Sequence, residues 1–347
     1  MTAETISERT ELTGVANDED FLAVTDQYRR ELLAHCYRML GSVHEAEDLV
    51  QETYLRAWRS YHGFEGRSSL RTWLYRIATN ACLTALDSRK RRPMPTGLGA
   101  PSSHPDDPLV ELGEVLWLEP VPDAMLAGWC GDPHDPATIV AGRASVRLAL
   151  IAALQQLPPR QRAVLVLREV LRLRAAEVAE MLDTSVAAVN SSLQRARAQL
   201  EAAGLTEEDV TEPDDPRQRE LLDRYARAIE AKDVAAIVEV FTADVVWEMP
   251  PFSAWFRGPD AIARLIATHC PAKAGEIRLL PTEANGQPAY AVYRLTDEGW
   301  MPFQLHVLAM TDGRVSHVSA FFDLSLFATF GLPARLDDDA ALGVAVA

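Results

Sequence analysis

The sequence predicts a multidomain protein: two all-α domains, the second carrying a helix-turn-helix, followed by a C-terminal α+β domain. Three observations predict it. Apolar residues recur at helical spacing through 21–92 and again through 143–203. A proline-rich stretch without a single Lys or Arg parts those blocks. The last third ends in four alternating runs separated by hairpin-type turns.

The chain has 347 residues, enough for two or three domains, and 48% apolar with 24% charged residues excludes wholesale disorder. No stretch approaches the roughly 20 apolar residues of a membrane span and no signal-peptide core opens the chain, so a cytoplasmic protein with no membrane partner is expected. Four scattered cysteines, Cys36, Cys82, Cys130 and Cys270, form no CxxC pair, which excludes a disulfide scaffold and a cysteine-rich zinc site. The eight histidines form no HxxxH or HxH pair and no GxxxxGKS/T loop exists, so neither a metal nor a cofactor is expected.

The formal net charge is −16, which as an average argues against a nucleic-acid partner. By segment it is −3 over 1–18, +2 over 19–92, −8 over 93–142, +4 over 143–201 and −11 over 202–347. Two mildly basic blocks around an acidic spacer, with an acidic last third, indicate separate modules with separate partners.

Residues 1–18 are polar and aperiodic, a flexible tail. In the first domain, 19–92, Tyr28, Leu32, Cys36 and Met39 mark a helix that stops at Gly41. Ser42 and Glu45 have capping-box spacing and open a helix through Trp58, and Leu70–Leu86 forms a third. Residues 93–142 hold nine of the 21 prolines and read as an acidic extended linker. Trp117, Leu118, Val121 and Trp129 predict that part of it docks.

The second domain, 143–203, gives helices Arg143–Leu157, Arg160–Leu171, Arg174–Leu182 and Val186–Ala202. A second linker at 204–216 leads to the last domain, 217–335, and a tail at 336–347. That domain reads as helices Arg217–Ala231, Val234–Phe241 and Pro259–Ala267 with a strand at Val245–Met249. Four runs follow, Glu276–Glu283, Gln287–Leu295, Phe303–Met310 and Val315–Phe322, turned at Asn285-Gly286, Asp297–Gly299 and Asp312-Gly313 into an antiparallel meander.

Residues 174–202 have helix-turn-helix layout. Ala176, Val178, Ala179 and Leu182 face the second helix, whose Val186, Val189 and Leu193 face back. This leaves Ser185, Ala187, Ala188, Asn190, Ser191, Gln194, Arg195 and Arg197 outward, short and polar first and basic later, as a major-groove reader requires. A plain helical hairpin satisfies the same spacing. Between 66 and 92, Arg67, Arg71, Arg76, Arg89, Lys90, Arg91 and Arg92 face one acid, Asp87, with Tyr61, Phe64, Trp73 and Tyr75 nearby. Cations for phosphates and rings for unstacked bases hold a separated strand; one of Trp73 and Tyr75 is expected in the core instead.

The runs HCYRMLGSVHEAEDLVQETYLRAWRSYHGFEGRSSLRTWLYRIATNACLTAL (35–86) and LQQLPPRQRAVLVLREVLRLRAAEVAEMLDTSVAAVNSSLQRARAQL (154–200) resemble extracytoplasmic-function (ECF) sigma factors of the sigma-70 family. PTGLG, WLEPVPD and the C-terminal domain are similar to the actinobacterial sigma-G type, which implies a fused SnoaL-like, NTF2-like cone. The resemblance implies a sigma-2 domain at 19–92 and a sigma-4 domain at 143–203, with core RNA polymerase and promoter DNA as partners.

By position it assigns Asp48, Gln51, Glu52 and Arg56 to the polymerase clamp, although the same spacing permits intrahelical ion pairs on a solvated face. Phe64, Arg67, Ser68, Arg71, Trp73, Arg76 and Asn80 are assigned to the −10 element, whose opening costs a few kcal/mol per flipped base. The helix from Val186 is assigned to the −35 element. Asn190 and Ser192 stand where many relatives carry Lys or Arg, and Asp183 stands at a turn position usually held by Gly, which Asp tolerates. The acidic linker is expected to follow the basic nucleic-acid channel of the polymerase.

In the cone, Tyr225, Trp247, Met249, His306 and Asp323 are candidate pocket residues for an unidentified small ligand. Met249 occupies the position of the catalytic Asp in steroid-isomerase relatives, and alternation sends Glu248 to the opposite face. A regulatory domain, not an enzyme, is expected. A one-component DNA-binding regulator, and an NTF2-like enzyme with a helical appendage, are the competing readings.

Overall fold

The computed structural model describes residues 18–87, 91–126, 144–202 and 216–337. The expected tail at 1–18 falls almost wholly outside the described residues. Arg89, Lys90, Trp129, most of the linker at 204–216 and most of the tail at 336–347 also lie outside them.

The first domain packs α1 (Asp18–Thr25), α2 (Arg29–Leu40), α3 (Val43–Ser60) and α4 (Leu70–Asp87). Gly41 ends α2 with φ +70, a left-handed stop that L side chains resist, and the Ser42 hydroxyl caps α3 by accepting from Glu45 N at 3.1 Å. A short helix in the linker, α5 (Asp123–Leu126), precedes the second domain: α6 (Leu148–Gln156), α7 (Pro159–Leu165), α8 (Ala175–Met181) and α9 (Val186–Ala202). The helix expected over Arg143–Leu157 is broken at 145–147, next to Val146 O and Leu148 N, which are bonded to Asn285 and Gln287 of the last domain, and α6 runs from Leu148; Arg143 lies outside the described residues. The helix expected to run to Leu171 relaxes into a π turn at Val166–Val170.

The last domain opens with α10 (Pro216–Glu230) and α11 (Val234–Glu239), then β1 (Phe241–Glu248), β2 (Trp255–Arg257) and α12 (Pro259–His269). β3 (Ile277–Ala284), β4 (Gln287–Thr296), β5 (Gly299–Thr311) and β6 (Arg314–Phe321) follow, with α13 (Ser325–Thr329) after them. The six strands lie in the order β2-β1-β6-β5-β4-β3. The meander is antiparallel as expected, but β1 pairs parallel with β6, and the three-residue β2 was too short to read from sequence. Phe241, expected at a helix end, starts β1. Asn285 and Gly286 both have positive φ, as do Asp312 and Gly313, the backbone of type I′ hairpins.

Both faces of the curved sheet are buried. Tyr290 and Val292 face inward toward the helices of the cone, while Ala289, Ala291 and Tyr293 face a core shared with the helical domains. The stretch 93–126 docks, as Leu118 and Val121 led one to expect: both are buried with Met94 and Leu126, and the chain straps the first domain to the cone.

Candidate functional site

On α3, Asp48, Gln51 and Arg56 are exposed and Glu52 is half-buried. Arg56 Nε lies 2.7 Å from Glu52 Oε1, so the intrahelical pair permitted by the spacing does form. The same helix exposes Leu55 (50%) and Trp58 (47%), apolar positions that a charge pattern does not mark. Their signal was available: neither belongs to the buried row of Val50, Thr53, Tyr54 and Ala57.

Around the 63–69 loop, Phe64 and Trp73 are half-buried with ring centroids 4.9 Å apart, and Tyr61 stacks on Phe64 at 6.4 Å. Arg67, Ser68, Arg76 and Asn80 are exposed beside them, Arg67 paired with Glu65. Tyr75 is the core ring, 1% exposed, its hydroxyl donating to Glu31 at 3.1 Å. Arg71 is spent on structure: its Nε lies 2.6 Å from Glu31 and its guanidinium sits over the Tyr75 ring, bracing α4 against α2.

In the helix-turn-helix, Asp183 takes φ +49 and Ser185 Oγ accepts from Ala188 N at 3.2 Å to cap α9. Ser185, Ala187, Ala188, Asn190, Gln194, Arg195 and Arg197 are exposed and Ser191 half-buried. Val189 and Leu193 are buried as expected and the row continues to Ala196, but Val186, expected to face inward, is 43% exposed at the first turn of α9. Arg195 donates to Ser191 Oγ at 2.7 Å, and Arg197 pairs with Glu169 at 2.6 Å.

The cone encloses a cavity of about 240 Å³ lined by Trp247, Met249 and His306 among mainly apolar neighbours. Tyr225 stands behind it, its hydroxyl 2.8 Å from His306 Nδ1. Burial pushes His306 down to about 3 and the Tyr225 phenol well up, so both are neutral at pH 7. Asp323 does not join them; it is exposed and accepts from Ser325 N and Oγ at the start of α13. Glu248 points away, as alternation requires. Its Oε2 accepts from Thr96 N of the strap at 3.1 Å, and its Oε1 lies 2.7 Å from His317 Nε2. Burial favours the neutral acid, but the His317 ring and the Thr96 N–H outweigh it and hold the carboxyl below its ordinary value.

The three domains meet at a polar junction. Buried Arg162 of α7 donates to Met39 O at the end of α2, and to Gln155 O and Leu157 O at 3.1 and 3.2 Å at the end of α6. A cation thus serves the unpaired carbonyls of two helix C-termini. Burial lowers its pKa only to about 10, so it stays charged. Arg38, also buried, donates to Ser145 Oγ at 2.8 Å. From the cone, fully buried Asn285 enters this seam: Oδ1 accepts from Val121 N at 2.9 Å, and Nδ2 donates to Tyr37 Oη at 2.7 Å and Val146 O at 2.6 Å. One turn of β-hairpin therefore holds the first domain, the strap and the second domain together. Glu119 of the strap accepts from Ser42 Oγ and Val43 N at the start of α3, and Arg92 bridges Glu45 and Glu119.

Family models for Sigma-70 region 2, Sigma-70 region 4 and the SnoaL-like domain match residues 24–92, 147–200 and 222–323. The chain is 58% identical over 319 residues to the ECF RNA polymerase sigma factor SigG of Mycobacterium tuberculosis, covering 91% of this chain and 85% of that one. It is 30% identical over 245 residues to SigJ of the same organism, covering 69% of each. The crystal structure of SigJ superposes with a TM-score of 0.58 at 24% identity, covering 90% of this chain and all of that one, and so shares the fold. The chain belongs to the ECF RNA polymerase sigma factors and carries a SnoaL-like domain at its C-terminal end.

Proposed function

We infer that this ECF sigma factor acts with core RNA polymerase on promoter DNA in transcription initiation. We propose that it is self-restrained, and that the SnoaL-like domain is a regulatory clamp rather than an enzyme. The carrying observation is the Asn285 junction. Elements at −35 and −10 are about 25 base pairs apart, roughly 85 Å of B-DNA at 3.4 Å per base pair. A 70-residue domain has a radius of gyration near 11 Å, so two such domains in contact span only about 55–60 Å. The packed arrangement cannot read both elements at once.

Release is within reach of the chain. Fifty residues from 93 to 142 extend to at most roughly 165–180 Å, ample for the separation. The polar part of the interface is built on hydrogen bonds to backbone carbonyls, which water can replace on opening, while the shared apolar core must find cover on the polymerase. The opened strap would also free Glu119, Asp123 and Asp106 to meet the basic channel of the polymerase, whose location makes the cytoplasm the site of action.

Within this reading α3 docks on the polymerase through Asp48, Gln51 and Arg56 together with Leu55 and Trp58. The Phe64–Trp73 cluster with Arg67, Ser68, Arg76 and Asn80 takes the opened −10 strand, and Ser185 to Arg197 meet the −35 duplex. Against catalysis stand Met249, which cannot take a proton, and His306, which is neutral and too weak a base at pH 7. Removing 205–347 should alter run-off transcription by purified polymerase; unchanged transcription rejects the regulatory reading.

A further inference from the structure

The seam between the domains holds a cavity of about 1070 Å³ that lies outside the cone, against the opposite face of its sheet. Four segments wall it: the chain at 91–98, the strap at 114–116, α6, and the outward face of β1, β4, β5 and β6. Register explains the sheet wall. Val307 pairs with Ser319 and Ala309 with His317, so alternation puts these side chains opposite Leu308 and Val318, which belong to the core inside the cone.

The apolar lining is aliphatic. Ala149 and Ala152 of α6 line the space with Val307 and Ala309, and among the described residues no Phe, Tyr or Trp reaches it. Leu98 and Leu116 of the strap line it too, each 47% exposed, although Met94, Leu118 and Val121 of the same strap are buried. Apolar side chains left open in a groove mark a surface that something covers. Without ring faces to stack on, the space suits a flexible hydrocarbon chain better than an aromatic ligand.

One cation of the lining is available. Arg92 is spent on Glu45, Glu119 and Trp117 O. Glu248 is 2% exposed; it accepts from Thr96 N and Ser319 Oγ and lies 2.7 Å from His317 Nε2. Arg91 is exposed and has no hydrogen-bond or ion-pair partner among the described residues. It also stands close enough to Arg162 to add like-charge repulsion to the burial that lowers that guanidinium to about 10. An anion at Arg91 relieves that repulsion. Glu114 of the strap is the exposed acid of the lining.

We propose that this seam binds a single-chain fatty carboxylate, its head on Arg91 and its hydrocarbon chain against Leu98, Leu116 and α6. The inference rests on the regulatory reading above and gives the closed form a ligand. The walls come from all three domains, so the complete site exists only while they are packed together. Occupancy therefore favours the closed form and lowers transcription.

The test uses the full chain and dodecanoate below its micellar concentration, with octanoate, dodecanol and dodecyltrimethylammonium as comparators. Binding is followed by calorimetry, and its place by hydrogen exchange. Dodecanoate should slow exchange at 96–98, 114–116 and 149–152 together. Octanoate should bind at least tenfold more weakly, since each buried methylene is worth about 0.8 kcal/mol. Dodecanol should bind about tenfold more weakly, and Arg91→Gln should remove that difference. Leu116→Glu, at a position already exposed, should abolish binding with Tm unchanged. Run-off transcription at limiting core polymerase should fall with dodecanoate, and should not fall for the Leu116→Glu chain. Protection confined to the strands and helices of the cone interior overturns the site, and dodecyltrimethylammonium binding as well as dodecanoate overturns the role of Arg91. Binding at the seam that leaves transcription unchanged overturns the regulatory direction. The clamp itself is judged separately, by a junction variant with no ligand present.

Discussion

Asn285→Gly tests the clamp at its smallest moving part. Asn285 has φ +59, so glycine keeps the backbone without strain while the side chain alone is lost. Val121 N–H and Val146 O are then left buried without the partners now at 2.9 and 2.6 Å; Tyr37 Oη keeps its bond to Glu119 O at 2.8 Å. Two stranded backbone groups at about 1–3 kcal/mol each, partly relieved by water, give a loss of roughly 2–4 kcal/mol from the closed form. At 1.4 kcal/mol per tenfold this shifts the closed-to-open ratio by about 25- to 700-fold. The direct assay is run-off transcription at limiting core polymerase, with amide exchange at Val121 and Leu148 measured in parallel. Exchange should accelerate and run-off product should rise. Faster exchange with unchanged transcription would show that the junction does not restrain the protein.

Three further outcomes follow from the same geometry. The folded carboxyl of Glu248 lies below its ordinary 4.5, so its contribution to stability is lost as pH falls through the lowered value; the Tm advantage over Glu248→Gln should shrink below pH 4.5. Trp58→Ala should weaken the core polymerase complex by about 2 kcal/mol, roughly 30-fold by fluorescence titration, as expected of an aromatic anchor, without lowering Tm by more than about 1 kcal/mol equivalent. Arg195→Ala should reduce the salt slope of holoenzyme binding to a −35 duplex by about one while leaving sequence preference intact, whereas a loss of preference would make Arg195 a base reader.

Local rules made much of the fold legible. The Gly41 stop, the Ser42 cap, the Asp183 turn and the two Asn/Asp-Gly hairpins each depend on a few adjacent residues, and each is present. The positions on α3 and on the 63–69 loop came from the resemblance and those on α9 from the helix-turn-helix spacing; most of them are exposed. What was hidden depends on contacts between segments distant in sequence. Nothing near Arg71 announces Glu31, forty residues earlier, so its bracing of α4 against α2 was not legible in the sequence. Asp323 looked like a pocket acid because its partner is simply the next turn of chain. Proline and acid content made the strap resemble a free linker, although Leu118 and Val121 were already signs of burial and are fully buried. Asn285 looked like any hairpin turn. Its importance comes from the three chain segments that converge on it.

The sigma domains should separate when the protein engages polymerase. Thr84 of α4 and Ala198 of α9 are exposed and lie outside the assigned interfaces, so cysteines placed there, with Cys130 and Cys270 replaced, accept a pair of spin labels. The distance between them should follow a single compact distribution in the free chain and lengthen by tens of ångströms in the holoenzyme on promoter DNA, toward the roughly 85 Å that 25 base pairs impose. A distribution that stays the same in the two states would contradict the account.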